Sequence, residues 1–406
     1  MKILGMKFAI HINVNMKTLV TMEVKKMGYI LNEEQQDMVK LAKSFAEKEV
    51  APIVAEYDRE GKLPLEAYRK ANEIGFNALE IPTEYGGAGE NYYTVGAIYE
   101  EFAKVDAGFA TGIAASGLAL KPVLMHGTPE QKQYFADHLT GARGTGFAAF
   151  GLTEPEAGSD ASNSKTTAVK DGDEYIIHGS KCFITNASLA SIFVIFAMTD
   201  KSKGTKGISA FIVEADRKGV SVTGEEDKMG IRLSNTASVS LDDVRIPADH
   251  LLGEEGKGFV YAMETLDLAR PMVAAMAVGI AQRAIDEAVA YAKIRKTFGK
   301  PIIAHQAINF KLADMDIKTE CARSAVINAI NAYYSGSPFS REAAIAKCFA
   351  GDTAVQVAVD AIQILGGYGY SREYPVEKLL RDAKIMQIYE GTNEVQRIVI
   401  GGALAR

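Results

Sequence analysis

Residues 192–213 read IFVIFAMTDKSKGTKGISAFIV, two apolar runs on either side of a cluster of Asp, Lys, Ser and Gly. Both runs are short, rich in β-branched and aromatic residues, and bounded by turn-forming residues, which predicts two strands. Similar runs occur nearby, at Tyr175 to Ile177, Val220 to Val222 and Ala237 to Leu241. No helical pattern separates these runs, so the sequence predicts a small antiparallel sheet or barrel rather than a parallel βαβ sheet.

Upstream of the strands, from 29 to about 149, the sequence carries helical signals. Asn32 and Gln35 have the spacing of a capping box, in which each side chain bonds the backbone N–H of the other residue. Thr128 followed by Pro129 gives an N-cap and a proline at the first helical position. The segment 29–149 is therefore predicted to be a helical domain.

Downstream of the strands the apolar spacing becomes helical again. Ala281, Ile285, Ala288 and Ala292 lie on one face of a long helix, in which Pro271 is expected to produce a kink. Further helices are predicted at 304–335, 340–365 and 374–388, which together resemble a four-helix bundle. The chain is thus predicted to be mainly α with a middle β-domain, divided into an extension outside the fold at 1–28, an N-terminal helical domain at 29–149, a middle β-domain at 150–252 and a C-terminal helical bundle at 253–406.

Composition limits the classes of function. The chain has 406 residues, 48% of them hydrophobic and 24% charged, which is typical of a globular protein with more than one domain. Its net charge of −6 argues against nucleic acid as the main partner. Three cysteines stand far apart without CxxC spacing, which indicates reduced thiols and a cytoplasmic location. Without an uninterrupted apolar run of about 18 residues, no membrane-spanning helix is predicted.

Three common kinds of catalytic site do not fit the sequence. The stretch Gly144 to Ala149 loosely matches GxGxxA, but it follows no predicted strand and opens no helix, as a dinucleotide-binding loop would. The six histidines lack the HExxH or paired spacing of a catalytic metal site. No GxSxG nucleophile motif occurs, and no cysteine has a nearby histidine. No metal is therefore expected.

Several loop segments have chemistry suited to a ligand. Residues 150–160, FGLTEPEAGSD, can present backbone N–H groups to an electron-rich ligand, or simply link two domains. Arg295 beside a hydroxyl can hold a diphosphate, and the pair Gly366 and Gly367 permits close backbone approach, although a surface cation and a helix C-cap are plainer readings. Glu390, in IYEGTNEVQR, lies at a break between two helices. A carboxylate there is solvated, paired, or kept poorly solvated so that it can take a proton.

Taken together and in this order, TEPEAGSD, KCFITNA, RKTFGKPI, HQA, QILGGYGYSREYPVEKLLRDAKI and IYEGTNEVQR make the chain resemble the acyl-CoA dehydrogenase family. The similarity is closest to its short- and medium-chain members and to bacterial butyryl-CoA dehydrogenases, and it covers about residues 29–406. The family's fold, with an N-terminal helical domain, an antiparallel β-barrel and a C-terminal four-helix bundle, agrees with the order predicted from periodicity. The resemblance implies FAD between the last two domains. It also implies a dimer or homotetramer, because a neighbouring subunit contributes to each site.

The resemblance also assigns roles to residues of this chain. Glu390 matches the catalytic base, which removes the α-proton of an acyl thioester while the β-hydride goes to flavin N5. Ala269 stands where some relatives carry that base instead, and Phe183 stands where many carry Trp. The residues expected to bind FAD are Phe150, Leu152, Thr153, Ser159, Phe183, Ile184, Thr185, Arg295, Thr297, Phe298, Gln306, Gln363, Ile364, Gly366, Gly367, Thr392 and Glu394. Those expected to contact the acyl group or CoA are Ser159, Asp267, Arg270 and Gly391.

The implied function is interconversion of an acyl-CoA and its trans-2-enoyl-CoA, with electrons exchanged with an electron-transfer flavoprotein. The same residues serve both directions, so an enoyl-CoA or arylacrylyl-CoA reductase working in an electron-transfer flavoprotein complex is the alternative. The small residues of Thr111 to Leu120 either pack tightly or line an acyl pocket that admits a bulky group. An acyl-CoA oxidase and a nucleic-acid-binding member of the superfold are further alternatives, opposed by chain length and by the acidic balance.

Overall fold

The computed structural model describes residues 28–405, so the predicted N-terminal extension lies almost wholly outside the described part of the chain. Within that part the order is helices, then strands, then helices, as predicted. The first group of helices consists of α1 (Glu33–Phe45), α2 (Val54–Glu60), α3 (Leu65–Ile74), α4 (Tyr92–Val105), α5 (Ala107–His126) and α6 (Pro129–Leu139).

The predicted capping box at Asn32 is present, and the predicted N-cap at Thr128 is also part of a capping box. The Asn32 side chain accepts from the Gln35 backbone N–H at 2.9 Å, and the Asn32 backbone N–H donates to the Gln35 side chain at 3.0 Å. Thr128 and Gln131 make the same reciprocal pair at the start of α6, where Pro129 occupies the first helical position. These caps satisfy backbone donors that have no partner within the helix.

Helix α5 runs through the interior of the protein. Small residues cover most of its length, so neighbouring backbones approach it closely; a Cβ on Gly112 would lie 2.1 Å from the Tyr68 hydroxyl. Two described segments, Ala107–His126 and Ser340–Tyr370, are long and apolar enough to cross a membrane. Most of the apolar stretch in each segment is buried inside the protein, 78% in the first and 56% in the second, as in core helices.

The middle of the chain forms an eight-stranded sheet in the order β6-β7-β3-β2-β4-β5-β8, with β1 beside β4. The five predicted strands, β3 to β7, pair with one another antiparallel, as predicted, whereas β1 and β2, which were not predicted, lie parallel to β4. A single apolar run does not reveal its partner, so strand direction was not encoded locally. The strands are β1 (Ala148–Gly151), β2 (Thr167–Asp171), β3 (Glu174–Thr185), β4 (Ile192–Met198), β5 (Ile208–Glu214), β6 (Val220–Glu225), β7 (Thr236–Pro247) and β8 (Leu251–Leu252).

The two apolar runs of residues 192–213 become β4 and β5, which pair antiparallel and are buried along their whole length. Alternate residues face different clusters. Phe193 packs into the core beneath the sheet, whereas Val194 packs into a cluster that includes residues of α5 and α6. Both faces of these strands are thus covered, which explains apolar runs without polar alternation.

The C-terminal part consists of long helices around a shared core. The predicted helices at 304–335, 340–365 and 374–388 match observed ones, although the last ends at Ile385. Helix α7 (Gly258–Ile294) contains Pro271 and continues past it, so the proline does not end the helix. The elements are α7 (Gly258–Ile294), β9 (Lys296–Thr297), β10 (Lys300–Pro301), α8 (Gln306–Tyr334), α9 (Ser340–Leu365), α10 (Val376–Ile385) and α11 (Asn393–Leu404).

A single hydrophobic cluster joins the first helical group to the last, with Phe102 of α4 and Met272 of α7 among its members. Buried ions reinforce this junction. The Arg323 guanidinium of α8 donates to Glu100 of α4 at 2.8 Å, and the Lys378 ammonium of α10 donates to Asp106 at 2.5 Å. These ion pairs join α4 and the N-cap of α5 to the C-terminal helices α8 and α10.

Candidate active site

Glu390 lies in the turn between α10 and α11, where the sequence predicted a helix break. Its backbone has φ of 54°, a left-handed conformation that costs a non-glycine residue free energy. The turn is held from below by Lys347, whose ammonium donates to the Gly391 carbonyl at 2.7 Å and to the Asn393 side chain at 3.0 Å. The Gln396 amide donates to the Gly391 carbonyl at 2.9 Å. The strained conformation is thus imposed by buried polar contacts.

The carboxyl of Glu390 has the environment of a general base. Its Oε2 atom is buried and has no hydrogen-bond partner within residues 28–405. Burial raises the pKa of Glu390 to about 7, while the positive charges of Lys121, Lys347 and Arg270 act to lower it. A carboxyl with a pKa near neutrality is ionised often enough to accept a proton and basic enough to hold it.

Asp267 and Arg270, predicted to contact the acyl group or CoA, form an ion pair on one face of α7. The Ser340 hydroxyl donates to Asp267 at 3.0 Å. The Nε atom of Arg270 is buried and unpartnered in the described structure, so this guanidinium keeps one donor free. Burial raises the pKa of Asp267 and lowers that of Arg270. Ala269, on the same helix, is buried and has no titratable group.

The loop after β1, which carries Thr153 and Ser159, is shaped by a buried ion pair. The Lys181 ammonium donates to the Glu154 carboxylate at 2.7 Å and to the Leu152 carbonyl at 3.2 Å. Glu154, in turn, accepts from two backbone N–H groups and a hydroxyl in the segment 164–166. Thr153 is half-buried and Ser159 is exposed, so both hydroxyls remain available, whereas Leu152 is buried.

The end of β3 presents an aromatic ring. Phe183 has φ of 56° and is 65% exposed, an unusual combination for a large apolar residue. Thr185 beside it is half-buried. Ile184, also predicted to bind the cofactor, has its side chain in the core beneath the sheet and is 2% exposed, so only its backbone is available to a ligand.

A second group of predicted residues lines a cavity of about 700 Å³ at the end of α7 and α9. A Cβ built on Gly366 or Gly367 meets no atom within 4 Å, so the glycine pair borders open space. The Arg295 guanidinium lies 5.8 Å from the centre of the Tyr368 ring. The predicted residues that line the cavity are Arg295, Thr297, Phe298, Ile364, Gly366 and Gly367.

The structure does not bring all predicted cofactor residues into these two groups. Gln306 and Gln363 are exposed, and neither is among the residues that line the cavity. Thr392 caps α11 by accepting from the Val395 backbone N–H at 3.2 Å, and Glu394 is exposed in the first turn of that helix. Phe150 is half-buried and packs on Phe196.

Sequence reasoning missed Lys347, which supports the turn that carries Glu390. A lysine in a helical pattern is ordinarily read as facing solvent, yet Lys347 is fully buried. A signal was available, because Ala343, Lys347, Ala350 and Ala354 follow the i, i+4, i+7, i+11 spacing of a buried stripe. The cavity residues Tyr291, His305 and Tyr368 were also missed.

The two groups fit the two halves of a flavin dinucleotide. An exposed aromatic ring beside half-buried hydroxyls suits the isoalloxazine ring, and an arginine beside an open glycine pair suits the nucleotide and its phosphates. Fold and site together are those of a flavin-dependent oxidoreductase.

Three descriptions of protein domains match successive parts of the chain: Acyl-CoA dehydrogenase, N-terminal domain at residues 32–142, middle domain at 149–244 and C-terminal domain at 256–405. The chain belongs to the acyl-CoA dehydrogenase family, whose members are FAD-dependent flavoproteins that act on CH–CH bonds. The predicted family, the three-domain fold, the flavin cofactor and the class of enzyme are thereby confirmed.

Relatives match along nearly their full length. The short-chain specific acyl-CoA dehydrogenase of Megasphaera elsdenii is 49% identical over 385 residues, which cover 94% of this chain and 100% of that protein. The structure of butyryl-CoA dehydrogenase from M. elsdenii has a TM-score of 0.90 at 47% identity, with the same coverage. A chain from a structure of the electron transferring flavoprotein of Acidaminococcus fermentans has a TM-score of 0.90 at 48% identity, again covering 94% and 100%.

Proposed function

We propose that the protein interconverts an acyl-CoA and its trans-2-enoyl-CoA, with Glu390 as the base that removes the α-proton. The observation that carries this proposal is the buried, unpartnered carboxyl of Glu390, whose pKa burial raises to about 7. Burial alone would leave the carboxyl protonated. The three nearby cations Lys121, Lys347 and Arg270 counter that effect and keep part of it ionised at neutral pH.

The other predicted residues would bind different parts of the substrate and of FAD. Asp267 and Arg270, with the free Nε donor of the guanidinium, would hold the polar part of the thioester, together with Ser159 and Gly391. Thr153, Phe183 and Thr185 would contact the flavin ring, and the cavity at Arg295, Gly366 and Gly367 would hold the nucleotide. FAD, when bound, supplies the acceptor for the β-hydride.

The lining of the nucleotide cavity supports a homo-oligomer. The lining of the 700 Å³ cavity, which runs from Tyr291 to Glu373, includes no residue of the middle β-domain. The cavity would therefore hold the nucleotide of a neighbouring subunit's FAD, as in a dimer or homotetramer. Exposed apolar side chains near it suit such a contact, since Ile294 is 80% exposed, Phe298 95% and Phe310 58%.

An electron-transfer flavoprotein is the proposed electron partner, on the strength of the similar chain found in the Acidaminococcus fermentans structure. The catalytic geometry favours neither direction, so reduction of an enoyl-CoA or arylacrylyl-CoA within such a complex is the second candidate. A cytoplasmic location is proposed from the separated cysteines, which form no disulfide among the described residues.

Anaerobic titration of the purified flavoprotein with acyl-CoAs tests this function. A saturated acyl-CoA is expected to bleach the flavin absorbance, and the matching enoyl-CoA is expected to restore it after chemical reduction. Loss of absorbance with saturated thioesters establishes the dehydrogenase direction. If only enoyl thioesters react, the reductase direction holds, and if neither class reacts, the assignment of the reaction is wrong.

A further inference from the structure

A face of helix α5 leads away from the Glu390 turn into the protein. From Asp106 to Val123 every residue is buried except Ala114 and Leu118, which are half-exposed and lie four residues apart on one face. Tyr389, which precedes Glu390, lies beside the Thr111 hydroxyl at one end of this face. This partly accessible face is where a cleft that begins at Glu390 can run beside α5.

At the other end of this face is a buried ion pair. The Lys121 ammonium lies 2.5 Å from Glu80 Oε2, and the two side chains are only 3% and 6% exposed. Lys121 reaches back along α5 toward the Gly117 carbonyl, at 3.5 Å, so its charge lies at the level of Gly117. Glu80 enters from the turn after α3, and the two residues come from segments about 40 positions apart.

One carboxylate oxygen of Glu80 accepts no hydrogen bond in the described structure. Glu80 Oε1 is buried and has no hydrogen-bond partner in residues 28–405, although the Tyr92 hydroxyl also contacts the Glu80 carboxylate. It points at the α5 face, because a Cβ built on Gly117 would lie 2.5 Å from it and 3.3 Å from the Tyr99 hydroxyl. Burial, followed by the charges of Glu80 and Glu390, raises the pKa of Tyr99, so its ring lies within the influence of both carboxyls. An unsatisfied buried carboxylate oxygen costs free energy that a donor group would recover.

We propose that the cleft beside α5 binds the acyl tail and that Glu80, with Lys121, accepts a hydrogen bond from a neutral O–H or N–H donor at the far end of that tail. This specificity rests on the proposed function. Glu80 and Lys121 neutralise each other, so a tail carboxylate would face Glu80 and a tail ammonium would face Lys121. Only an uncharged donor satisfies Oε1 without repulsion.

The spacing of residues along α5 favours an acyl group longer than four carbons. Six residues separate Thr111, beside Tyr389, from Gly117, which corresponds to about 9 Å along a helix. The two carbons of a butyryl group beyond its α-carbon extend at most about 3 Å. A tail that reaches Glu80 is therefore longer, either a hydroxyaryl group or an ω-hydroxyalkyl chain, and both carry the same donor.

Binding of enoyl-CoA pairs to the oxidised flavoprotein tests the proposal by calorimetry without turnover. One pair is 4-hydroxycinnamoyl-CoA and cinnamoyl-CoA; the other is 6-hydroxyhex-2-enoyl-CoA and hex-2-enoyl-CoA. The hydroxylated member of at least one pair is expected to bind about 10- to 100-fold more tightly, as for a hydrogen bond to a charged group. The pair that shows this gain identifies whether the donor is carried by an aryl ring or an alkyl chain.

The double variant Glu80→Leu/Lys121→Met removes the acceptor without leaving a buried charge unpaired. It is expected to abolish the preference for the hydroxyl while it still binds cinnamoyl-CoA. Glu84→Gln, an exposed carboxylate in the following turn, serves as the control and should keep the wild-type preference. Flavin content and thermal melting check that the variants are folded.

Equal affinities within both wild-type pairs would overturn the proposal, with ordered water as the only occupant of the site. The proposal would also be overturned if the folded double variant lost affinity equally for the hydroxylated and the unsubstituted CoA ester, since the ion pair would then have only a structural role. If the double variant does not fold, the wild-type ratio decides alone. If no acyl-CoA bleaches the flavin, the proposed function is rejected instead. If 3-phenylpropionyl-CoA bleaches the flavin but the protein shows no preference for a hydroxyl group, only the proposed tail site is rejected.

Discussion

At the scale of single residues, the Glu390 carboxyl has a buried oxygen that no hydrogen-bond donor stabilises within the described chain. The Oε2 of Glu390 and the Nε of Arg270 are both buried and unpartnered within the described chain. Groups of this kind lower stability in the protein alone and are satisfied when a ligand arrives. They are therefore the residues at which substitution should affect turnover more than folding.

Replacing Glu390 by glutamine tests the base. Glu390→Gln keeps the shape of the side chain but cannot take the α-proton, so kcat is expected to fall by about 10²- to 10⁴-fold. Flavin content should be unchanged, because the residue is not among those predicted to bind FAD. The Glu377→Gln variant, on α10 and outside the site, is the control and should turn over as wild type. Full turnover by a folded Glu390→Gln protein would contradict the assignment.

The pH dependence of the reaction follows from the pKa of Glu390. Since the carboxylate is the active form in oxidation, kcat/KM for a saturated acyl-CoA is expected to rise as pH increases through about 7. In the reductive direction the protonated acid is the active form, so the rate is expected to fall through the same range. Lys347→Met removes one of the charges that lower this pKa and should shift the oxidative profile to higher pH, whereas the exposed Lys384→Met should not. Superimposable profiles for all three proteins would contradict this electrostatic account.

Roles could be proposed from the sequence where a residue stands in a sequential motif, and not where two distant residues meet. Glu390 and Thr153 lie in motifs that can be read along the chain. The pairing of Glu80 with Lys121 arises only when the turn after α3 folds against α5. A sequence contains no local trace of that contact.

At the scale of elements, the start of α11 fixes the position of the catalytic turn. Thr392 Oγ1 accepts from the Val395 backbone N–H at 3.2 Å, two residues after Glu390. Thr392→Ala is expected to cost about 1 kcal/mol of stability and to lower kcat about 10-fold, since small misplacements of a base are costly. Denaturant unfolding and steady-state kinetics measure the two effects.

Thr128 provides a matched control, because its hydroxyl caps α6 with the same 3.2 Å bond to a backbone N–H. Thr128→Ala should cost a similar free energy of unfolding and leave kcat unchanged. If both variants lost activity equally, the cap at α11 would have only a general effect on stability.

Helices were predicted well because each carries its own periodicity and caps. The capping boxes at Asn32 and Thr128 are examples in which a few adjacent residues determine where a helix begins. Two strands, β1 and β2, were not predicted. The parallel pairing of β1 with β4 depends on how the chain returns after about 40 residues, and nothing within β1 specifies it.

At the scale of the whole molecule, buried ions join the helical segments on either side of the sheet. Arg323→Met leaves Glu100 buried without its main partner and is expected to destabilise the protein by about 3–5 kcal/mol. The double variant Arg323→Met/Glu100→Gln should recover much of that loss, because no unpaired charge remains. Urea unfolding of the single and double variants gives the coupling. A double variant as unstable as the single one would show that packing, not charge, is what was lost.

The order of domains was predictable from the change of hydrophobic period along the chain, and the family resemblance agreed with it. The arrangement of subunits was not predictable in the same way. An exposed apolar residue such as Ile294 looks like an ordinary core position in a sequence, and only the structure shows that it faces outward.

The left-handed backbone at Glu390 affects which substitutions would accumulate if the protein were evolved in the laboratory for thermal stability. Glycine adopts that conformation without penalty and brings no carboxyl to bury, so Glu390→Gly is expected to melt at a higher temperature than wild type at pH 8. A library screened for heat resistance alone would therefore enrich inert chains. Activity has to be selected for directly in such a screen, because at position 390 thermal stability favours glycine whereas turnover requires glutamate.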